Sequence, residues 1–307
     1  MKTLPIYSSL AILFVAGCAA ASAGKEPFNI QAHRGAGLAR PENTLESFEW
    51  SWSHEGITPE ADLRVTRDGA VVTYHDKNFK RIAPQVDKSI RGKKIEELAW
   101  DRIKGIDVGS FRGEEFKGQH IPLLENVFKA MENHPERMIY LDIKEMKTED
   151  YPRLAKMIEK HGLVRQCIFT TSHYDLIRQW NKIEPDSPTM LWVSTHKDPA
   201  KENAKLAEVR AENFAGLSFL QIHVHPNDGA FDADSPEPFK YPTLDFLKSI
   251  RSELAAHNVN FQMLPWKSQD PAIFNYLLEF GAQSFATDYP EITFNTVQEF
   301  QKKKGGE

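Results

Sequence analysis

The chain alternates between short apolar runs and longer amphipathic segments over most of its length. Eight short runs have the length and residue types of buried strands, at residues 30–33, 59–65, 138–143, 166–170, 189–193, 216–221, 260–264 and 284–287. The amphipathic segments predict helices, most clearly at residues 44–55, 151–161, 174–181, 243–258 and 271–280. Strands that alternate with helices are typical of a parallel sheet, and eight such units predict an α/β fold, the TIM (β/α)8 barrel.

Length and spacing indicate one domain with one insertion. The chain has 307 residues, and no internal repeat or low-complexity linker divides it. We predict a signal peptide over residues 1–23 and a single barrel domain over residues 24–307. Residues 77–120 are too many for an ordinary connection between a strand and a helix and carry many charges, so they predict a small insertion after the second strand.

Charge and cysteine content exclude some classes of protein. The chain has 38 Lys and Arg against 43 Asp and Glu, a net charge of −5 at pH 7, and no basic run interleaved with aromatic residues. We therefore expect no nucleic-acid partner. Of the two cysteines, Cys18 lies in the N-terminal segment and Cys167 stands alone in the barrel, so no disulfide is expected within the chain. Apolar neighbours predict that Cys167 is a buried thiol on a strand.

Acidic side chains occupy alternate positions on two of the predicted strands. Glu60 and Asp62 are two residues apart and therefore point to the same side, and the same holds for Asp142 and Lys144. Functional groups of a TIM barrel cluster at the C-terminal ends of the strands, where these residues lie. Glu60, Asp62 and Asp142 could together supply three oxygen ligands to one hard cation, for which we expect Ca²⁺ or Mg²⁺ and not zinc.

Histidines and an arginine accompany these acids. His33 and Arg34 end the first predicted strand, and His75 follows the second. Imidazoles transfer protons near neutral pH, and a guanidinium binds phosphate oxygens. With the carboxylates, this set suits the hydrolysis of a phosphoric ester on a divalent cation. Isolated surface ion pairs would explain a lone carboxylate, but they fit less well to acids on inward-facing strand positions.

Short motifs follow one another in a specific order along the chain. They are Gln31-Ala32-His33-Arg34-Gly35, Arg40-Pro41-Glu42-Asn43-Thr44, the stretch 59–69, Val72-Thr73-Tyr74-His75-Asp76, Ile121-Pro122-Leu123-Leu124-Glu125, Leu141-Asp142-Ile143-Lys144 and Thr287-Asp288-Tyr289-Pro290. In this order they resemble the glycerophosphodiester phosphodiesterase family. The resemblance spans residues 30–290, and it implies a TIM-barrel enzyme that hydrolyses glycerophosphodiesters, such as glycerophosphocholine or glycerophosphoethanolamine, to glycerol 3-phosphate and an alcohol.

The resemblance also implies a role for each site residue. His33 and His75 are the expected general base and general acid, in that order, with either water or the glycerol 2-hydroxyl as the attacking group. A 2-hydroxyl would form a transient cyclic phosphate that is then hydrolysed. Arg34 and Lys144 are expected to bind the phosphate and stabilise the transition state. Trp266 either offers a wall to the glycerol carbons or packs at the mouth of the barrel.

The chain departs from the family pattern at two places. Asp142 stands where the family usually has a glutamate ligand, and Lys80-Arg81-Ile82-Ala83 replaces its usual arginine-threonine stretch. The second departure concerns the fit of the substrate beyond the phosphate. We expect Glu42-Asn43-Thr44 to cap the first helix and brace its loop. Asp288 resembles a loop-bracing residue of the family.

Other functions remain open. His223-Val224-His225 has the H-x-H pattern with which some barrels bind zinc, but we place it in a proline-rich loop after the sixth predicted strand. A phospholipase D-like or lysophospholipid-cleaving enzyme on the same barrel would need an apolar groove for an acyl chain. A catalytically inactive surface binding protein is the third alternative, and the intact histidines and acids argue against it.

The N-terminus has the features of an export signal, with Lys2 followed by an apolar run over residues 10–16 and small residues to Ala23. That run is too short to span a bilayer, which takes about 20 apolar residues. Val15-Ala16-Gly17-Cys18 resembles a lipobox, in which Cys18 is acylated and becomes the mature N-terminus. Cleavage after Ala23 is the alternative. We expect an exported lipoprotein that faces the periplasm or the cell exterior and contacts the membrane only through its lipid.

Overall fold

The computed structural model describes residues 28–305. Its strands in chain order are β1 (Asn29–Ala32), β2 (Ile57–Val65), β3 (Val71–Thr73), β4 (Ile139–Glu145), β5 (Cys167–Thr171), β6 (Thr189–Val193), β7 (Phe219–Pro226), β8 (Phe239–Tyr241), β9 (Asn260–Pro265) and β10 (Ser284–Thr287). The predicted signal peptide, including Cys18, lies outside the described residues.

Helices connect most of these strands. They are α1 (Leu45–Trp52), α2 (Lys88–Arg91), α3 (Trp100–Ile103), α4 (Leu124–Met131), α5 (Tyr151–Lys160), α6 (Tyr174–Ile183), α7 (Pro199–Ala211), α8 (Leu244–Ala256), α9 (Pro271–Phe280) and α10 (Pro290–Gly305). Between residues 28 and 305, none of the helices combines the length and the apolar character needed to cross a membrane.

Eight parallel strands close into a barrel in the order β1-β10-β9-β7-β6-β5-β4-β2. Closure occurs at β1, where Ile30 lies opposite Phe285 of β10 on one side and opposite Ile57 of β2 on the other. The predicted TIM barrel is confirmed. Residues 189–193 and 284–287 match β6 and β10 in full, and most other predicted strands begin or end within two residues of the observed ones.

Side chains alternate between the inside of the barrel and the layer beneath the helices. Along β7, Leu220 and Ile222 are fully buried in the apolar cluster that the helices cover. Gln221 points the other way, and its Nε2 donates to Gln31 Oε1 at 2.9 Å and to Gln262 Oε1 at 2.6 Å. These buried amides therefore find their hydrogen-bond partners in one another.

The segment after β2 forms a small lobe. β3 pairs antiparallel with β2, and the chain then runs through α2 and α3 before it returns to β4. Buried residues of the lobe, including Phe79, Ile95 and Ile103, form an apolar cluster separate from that of the barrel. The insertion therefore has a small core of its own.

Two predictions concern the strands themselves. Cys167 is fully buried on β5, as predicted, and burial raises the pKa of its thiol. The placement of His223 and His225 in a loop was wrong, because β7 continues to Pro226. Its last residues pair with β9 up to Val224 opposite Pro265, and with β8 at His225. The predicted strand ends at Gln221 because the inward positions beyond it are histidines, which are unusual in the interior of a strand. At the mouth of the barrel, His223 finds a hydrogen-bond partner in Gln221.

Candidate active site

A cavity of about 360 Å³ lies at the C-terminal ends of the barrel strands. Most of the predicted site residues line it, namely His33, Arg34, Glu60, His75, Asp142, Lys144 and Trp266. Asp62 lies behind this surface and is fully buried. A larger cavity of about 1120 Å³ at the opposite end, lined by Phe28 and Phe219 among others, contains none of these residues.

Glu60, Asp62 and Asp142 form the carboxylate cluster. Each offers an oxygen that lies within 4.8 Å of those of the other two. Glu60 and Asp62 come from β2 and Asp142 from β4, where Asp62 is directly opposite Asp142 in the parallel pairing. The alternation along β2 and the pairing with β4 thus bring the three predicted ligands to one point.

The cluster carries more negative charge than its surroundings neutralise. Burial, together with the charges of Asp62 and Asp142, raises the pKa of Glu60 well above its usual range. Burial also opposes the charge of Asp62, but Lys144 and the nearby His75 and Arg34 outweigh it and lower the pKa of Asp62. The carboxylate of Asp62 is therefore held ionised while that of Glu60 resists ionisation, a balance that a bound cation would change.

Lys144 contacts two members of the cluster. Its Nζ lies 3.1 Å from Asp62 Oδ1 and forms a close ion pair with Asp142. Burial would lower the pKa of Lys144, but Asp62, Asp142 and Glu60 raise it above its usual range. The indole of Trp192 also donates to Asp142 Oδ1 at 3.3 Å.

Some oxygens of the cluster remain available. Glu60 Oε1 is buried and has no hydrogen-bond partner in the part of the chain that the structure describes. Asp62 Oδ1 likewise accepts no hydrogen bond there and has only the ion pair with Lys144. Buried carboxylate oxygens without donors are costly. Three hard oxygen donors at one point fit a divalent cation.

The loop between β1 and α1 supports this cluster. Asn43, in a left-handed conformation with φ 56°, donates from Nδ2 to Asp62 Oδ2 at 2.7 Å and accepts from the Asp62 backbone N–H at 2.9 Å. Arg34 is also left-handed, with φ 54°, and its backbone N–H donates to Glu60 Oε2 at 2.6 Å. Thr44 caps α1 by accepting from the Ser47 N–H, as the sequence predicts.

His33 is oriented by a residue from the far end of the chain. Its Nδ1 lies 2.7 Å from Asp288 Oδ1, just beyond β10, which pairs with β1. Burial would raise the pKa of Asp288, but the hydrogen bond and charge of His33, with Arg34 and Lys267, lower it. A carboxylate at Nδ1 leaves Nε2 of the ring for other partners.

His75 is oriented in a similar way. Its Nδ1 lies 2.8 Å from Asp76 Oδ1, and its Nε2 lies 3.0 Å from Arg34 Nη2. Because a guanidinium only donates, Nε2 of His75 accepts this hydrogen bond and the ring proton lies on Nδ1. Arg34 Nη1 also donates to both carboxylate oxygens of Glu42 at 3.2 Å.

Arg81 of the insertion completes this network. Its guanidinium donates to both carboxylate oxygens of Glu42 at 2.7 and 2.8 Å, and to both of Asp76 at 2.8 Å. Hydrogen bonds to Glu42, offset in part by burial, raise the pKa of Arg81. The stretch in which the chain departs from the family pattern therefore contributes an arginine that holds the two carboxylates beside Arg34 and His75.

Stacked rings form the other side of the cavity, and we call them the aromatic wall. The rings of Trp192 and His223 are 5.6 Å apart at 7°, and those of His223 and Trp266 are 5.5 Å apart at 24°. His225 contacts Trp266 at 5.5 Å and Tyr241 at 4.3 Å. β7 and β9, which carry most of the wall, lie across the barrel from β2 and β4.

Several of these residues were not predicted for the site. Asp288 was expected only to brace a loop, and Trp192, Tyr241 and the histidine pair were not expected in the cavity. The H-x-H pattern was a usable signal, because its two side chains share one face of a strand. The rings stack instead of converging on one point. The groups with metal-ligand spacing found in residues 28–305 are the carboxylate cluster and Glu42, His75 and Asp76.

Hard oxygen ligands beside paired imidazoles and phosphate-binding cations, at the mouth of a TIM barrel, are typical of phosphodiester hydrolases. Residues 33–292 match the model of the Glycerophosphoryl diester phosphodiesterase family. The chain belongs to this family. The predicted family membership and the prediction of an enzyme of this class are confirmed.

Individual relatives agree with this. A glycerophosphodiester phosphodiesterase of Bacillus subtilis (strain 168) is 22% identical over 281 residues, which is 85% of this chain and 83% of the relative. A lysophospholipase D of Homo sapiens is 28% identical over 161 residues, 52% of this chain and 50% of the relative. The structure of an Oleispira antarctica phosphodiesterase in complex with the product sn-glycerol-3-phosphate has a TM-score of 0.65 and 20% identity, and covers 88% of this chain and 96% of that one. The structural likeness shows the shared fold.

Proposed function

We propose that this protein hydrolyses glycerophosphodiesters to glycerol 3-phosphate and an alcohol, with a divalent cation and two histidines. The observation that carries the proposal is the carboxylate cluster beside two imidazoles, each held by its own carboxylate. The glycerol 3-phosphate product bound by the Oleispira antarctica relative supports a small glycerol phosphate ligand. Small polar diesters also suit a cavity of about 360 Å³ with charged and aromatic walls.

Glu60, Asp62 and Asp142 would hold the cation, for which their oxygens favour Ca²⁺ or Mg²⁺. The free Glu60 Oε1 and the raised pKa of Glu60 support this site. When bound, such a cation neutralises phosphate oxygens and the charge that develops on them. Asp142 is one methylene shorter than the usual glutamate, and Lys144 and Trp192 hold it in place.

Arg34 and Lys144 would bind the phosphate. Arg34 lies between Glu42 and His75, so its guanidinium is already oriented when substrate arrives. Lys144 lines the same cavity and stays charged because of the carboxylate cluster. Preorganised cations of this kind stabilise the charge of the transition state without reorganisation.

The contacts of the two rings favour the opposite proton-transfer roles from those that the sequence suggested. Nε2 of His75 is unprotonated in its hydrogen bond with Arg34, as a general base requires. We therefore assign His75 to take the proton of the attacking hydroxyl and His33 to protonate the alcohol as its bond to phosphorus breaks.

Trp266 is proposed to contact the carbons of the substrate alcohol. Its side chain is 37% exposed and lies against His223 in the aromatic wall. A lysophospholipid substrate would instead need a long apolar groove. The polar and ionisable groups that line this cavity favour the smaller diesters.

A substrate panel tests the proposal. The purified chain is incubated with glycerophosphodiesters and with a lysophospholipid, and released glycerol 3-phosphate and alcohol are measured. We expect turnover of the diesters, loss of turnover after chelation and recovery with added Ca²⁺ or Mg²⁺. Full activity after exhaustive chelation would contradict the cation site, and turnover of the lysophospholipid alone would contradict the substrate class.

A further inference from the structure

The aromatic wall is flanked by amino groups of the protein itself. Lys205 Nζ lies 5.2 Å from the ring centroid of Trp192, and Lys267 Nζ lies 5.9 Å from that of Trp266. These are the distances of cation–π contacts, in which an aromatic face attracts a cation. Trp192 and Trp266 therefore each already contact a lysine, and Lys144 Nζ also lies 5.8 Å from the ring centroid of Trp192.

Among residues 28–305 neither lysine forms an ion pair with a carboxylate, although Lys267 is close enough to Asp288 to lower the pKa of that carboxyl. Lys205 and Lys267 form no ion pair or side-chain hydrogen bond with any residue between 28 and 305, in contrast to Lys144 and its carboxylates. Acids around the cavity have other partners, since Asp288 contacts His33 and Asp228 contacts Lys240. The positive charge of these two lysines is thus only partly compensated, through Asp288 near Lys267.

The two histidines of the wall add aromatic surface without charge. Burial lowers the pKa of His223 to about 3 and that of His225 to about 4, with smaller contributions from neighbouring histidines and lysines. Both rings are therefore neutral at pH 7. The wall offers flat, uncharged rings with a positive charge beside Trp192 and beside Trp266.

An ester arm that crosses the cavity from the phosphate reaches this wall. The residues proposed to hold the phosphate and the cation lie on or just after β1, β2 and β4, and β7 and β9 lie across the barrel from β2 and β4. A quaternary ammonium such as that of choline binds well to aromatic faces, but here it would meet two ammonium groups on those faces. The hydroxyls and carbons of glycerol or a larger polyol meet no such repulsion.

We propose that the aromatic wall, with Lys205 and Lys267, selects against cationic head groups, so that diesters of uncharged polyols are the preferred substrates. This inference rests on the proposed function. It goes beyond the shared chemistry of the site, because it depends on two lysines that stand outside the catalytic residues and the carboxylate cluster.

The test compares two substrates that release the same product. Glycerophosphoglycerol and glycerophosphocholine both yield glycerol 3-phosphate, and kcat/KM is measured for each with the cation-loaded protein. We expect the polyol diester to be favoured about tenfold, the size expected for like charges near 6 Å at a wet surface. Because exposed charges are screened by salt, the preference should shrink as ionic strength rises.

Variants test whether Lys205 and Lys267 cause the preference for the polyol diester. The double variant Lys205→Gln and Lys267→Gln should lower the ratio of the two kcat/KM values about threefold to tenfold. Lys201→Gln is the matched control, because Lys201 is an exposed lysine on the same helix as Lys205 and is not in contact with a ring of the aromatic wall. Its ratio should equal that of the unmodified chain.

The outcomes separate the inference from the proposed function. Hydrolysis of both diesters with equal efficiency, or a preference that the double variant leaves unchanged, overturns the inference alone. Absence of hydrolysis of either diester overturns the proposed function and this inference with it. A preference for the polyol diester that falls with salt and in the double variant supports it.

Discussion

Each imidazole at the phosphate end of the cavity is bound at Nδ1 by a carboxylate, yet the two rings differ at Nε2. His75 contacts Arg34 there, and its carboxylate partner Asp76 is shared with Arg81. His33 has Asp288, which bonds to no arginine among the described residues. The same ring can therefore serve as base or acid according to the charges around it.

We expect His33→Ala and His75→Ala each to lower turnover about 10²- to 10⁴-fold, the usual loss of a general acid or base. A glycerol phosphate diester with a p-nitrophenyl leaving group needs no proton on departure. It should restore much of the rate of His33→Ala and leave His75→Ala slow. Steady-state kinetics on both esters measure this.

His134→Ala is the control for that experiment. His134 also has a carboxylate, Glu136, 3.0 Å from Nδ1, but it is exposed and does not line the cavity. Its variant should keep full turnover on both esters. Equal rescue of His33→Ala and His75→Ala would show that the two rings do not have separate roles.

The site residues that lie on strands could be predicted from the sequence. Several of the residues that form hydrogen bonds with them could not. Glu60 and Asp62 share a face because of the two-residue period of a strand, and the same period places Lys144 with Asp142. Asp288 lies 255 residues from His33, so only barrel closure between β1 and β10 brings the two together. No local pattern carries that information.

At the scale of single elements, the loop between β1 and α1 positions the carboxylate cluster. Asn43 satisfies both the backbone and the carboxylate of Asp62, and its positive φ is a conformation that asparagine tolerates better than most residues. The loop was expected to cap α1, which Thr44 does. The hydrogen bonds of Asn43 to Asp62 were not expected, because they depend on where the loop lies relative to β2 in the folded chain.

Asn43→Ala should weaken cation binding about 10- to 100-fold, the usual effect of losing a residue that orients a metal ligand. It should also lower the free energy of unfolding by about 1–3 kcal/mol, since buried groups of Asp62 lose their partner. Calorimetric titration with Ca²⁺ and denaturant unfolding measure the two effects.

Asn43→Gly separates the side chain from the backbone. Glycine adopts the positive φ without strain but makes neither hydrogen bond. It should therefore lose the same cation affinity as Asn43→Ala. If Asn43→Gly bound the cation as tightly as the unmodified chain, the bonds to Asp62 would have no part in shaping the site.

Strand lengths show where sequence patterns stop being informative. β6 and β10 have uniformly apolar or small residues and were predicted in full. β7 was shortened because it changes from an apolar to a polar inner face near the mouth, where histidines and glutamines bond to one another. A polar residue on an inner position is therefore compatible with a barrel strand that reaches a functional site.

At the scale of the whole molecule, the barrel accounts for the proposed chemistry. The N-terminal segment, which lies outside the described residues, bears on where the protein is located. We propose that the chain is exported and anchored through an acylated Cys18. Acyl chains insert with about 0.8 kcal/mol for each buried CH₂, and more than one chain is needed for stable attachment. Ala19 follows Cys18, so in a double-membraned bacterium we expect the outer membrane.

Mass spectrometry of the mature N-terminus checks this proposal. The expected peptide begins at Cys18 and carries lipid, and a Cys18→Ala chain should leave the membrane fraction while it keeps its enzymatic activity. A lipid-free peptide that begins at Gly24 would instead indicate ordinary secretion.

The insertion packs with Val72 and Tyr74, on and just after β3, in an apolar cluster that is separate from that of the barrel. Such a lobe can vary in size and sequence without disturbing the strands, so long as it presents Arg81 to Glu42 and Asp76. Whole lobes could therefore be exchanged between related chains as units that alter access to the cavity. Loss of this arginine alone would leave Glu42 and Asp76 with only Arg34 and His75 as partners, and so with less positive charge, where an anionic diester has to enter.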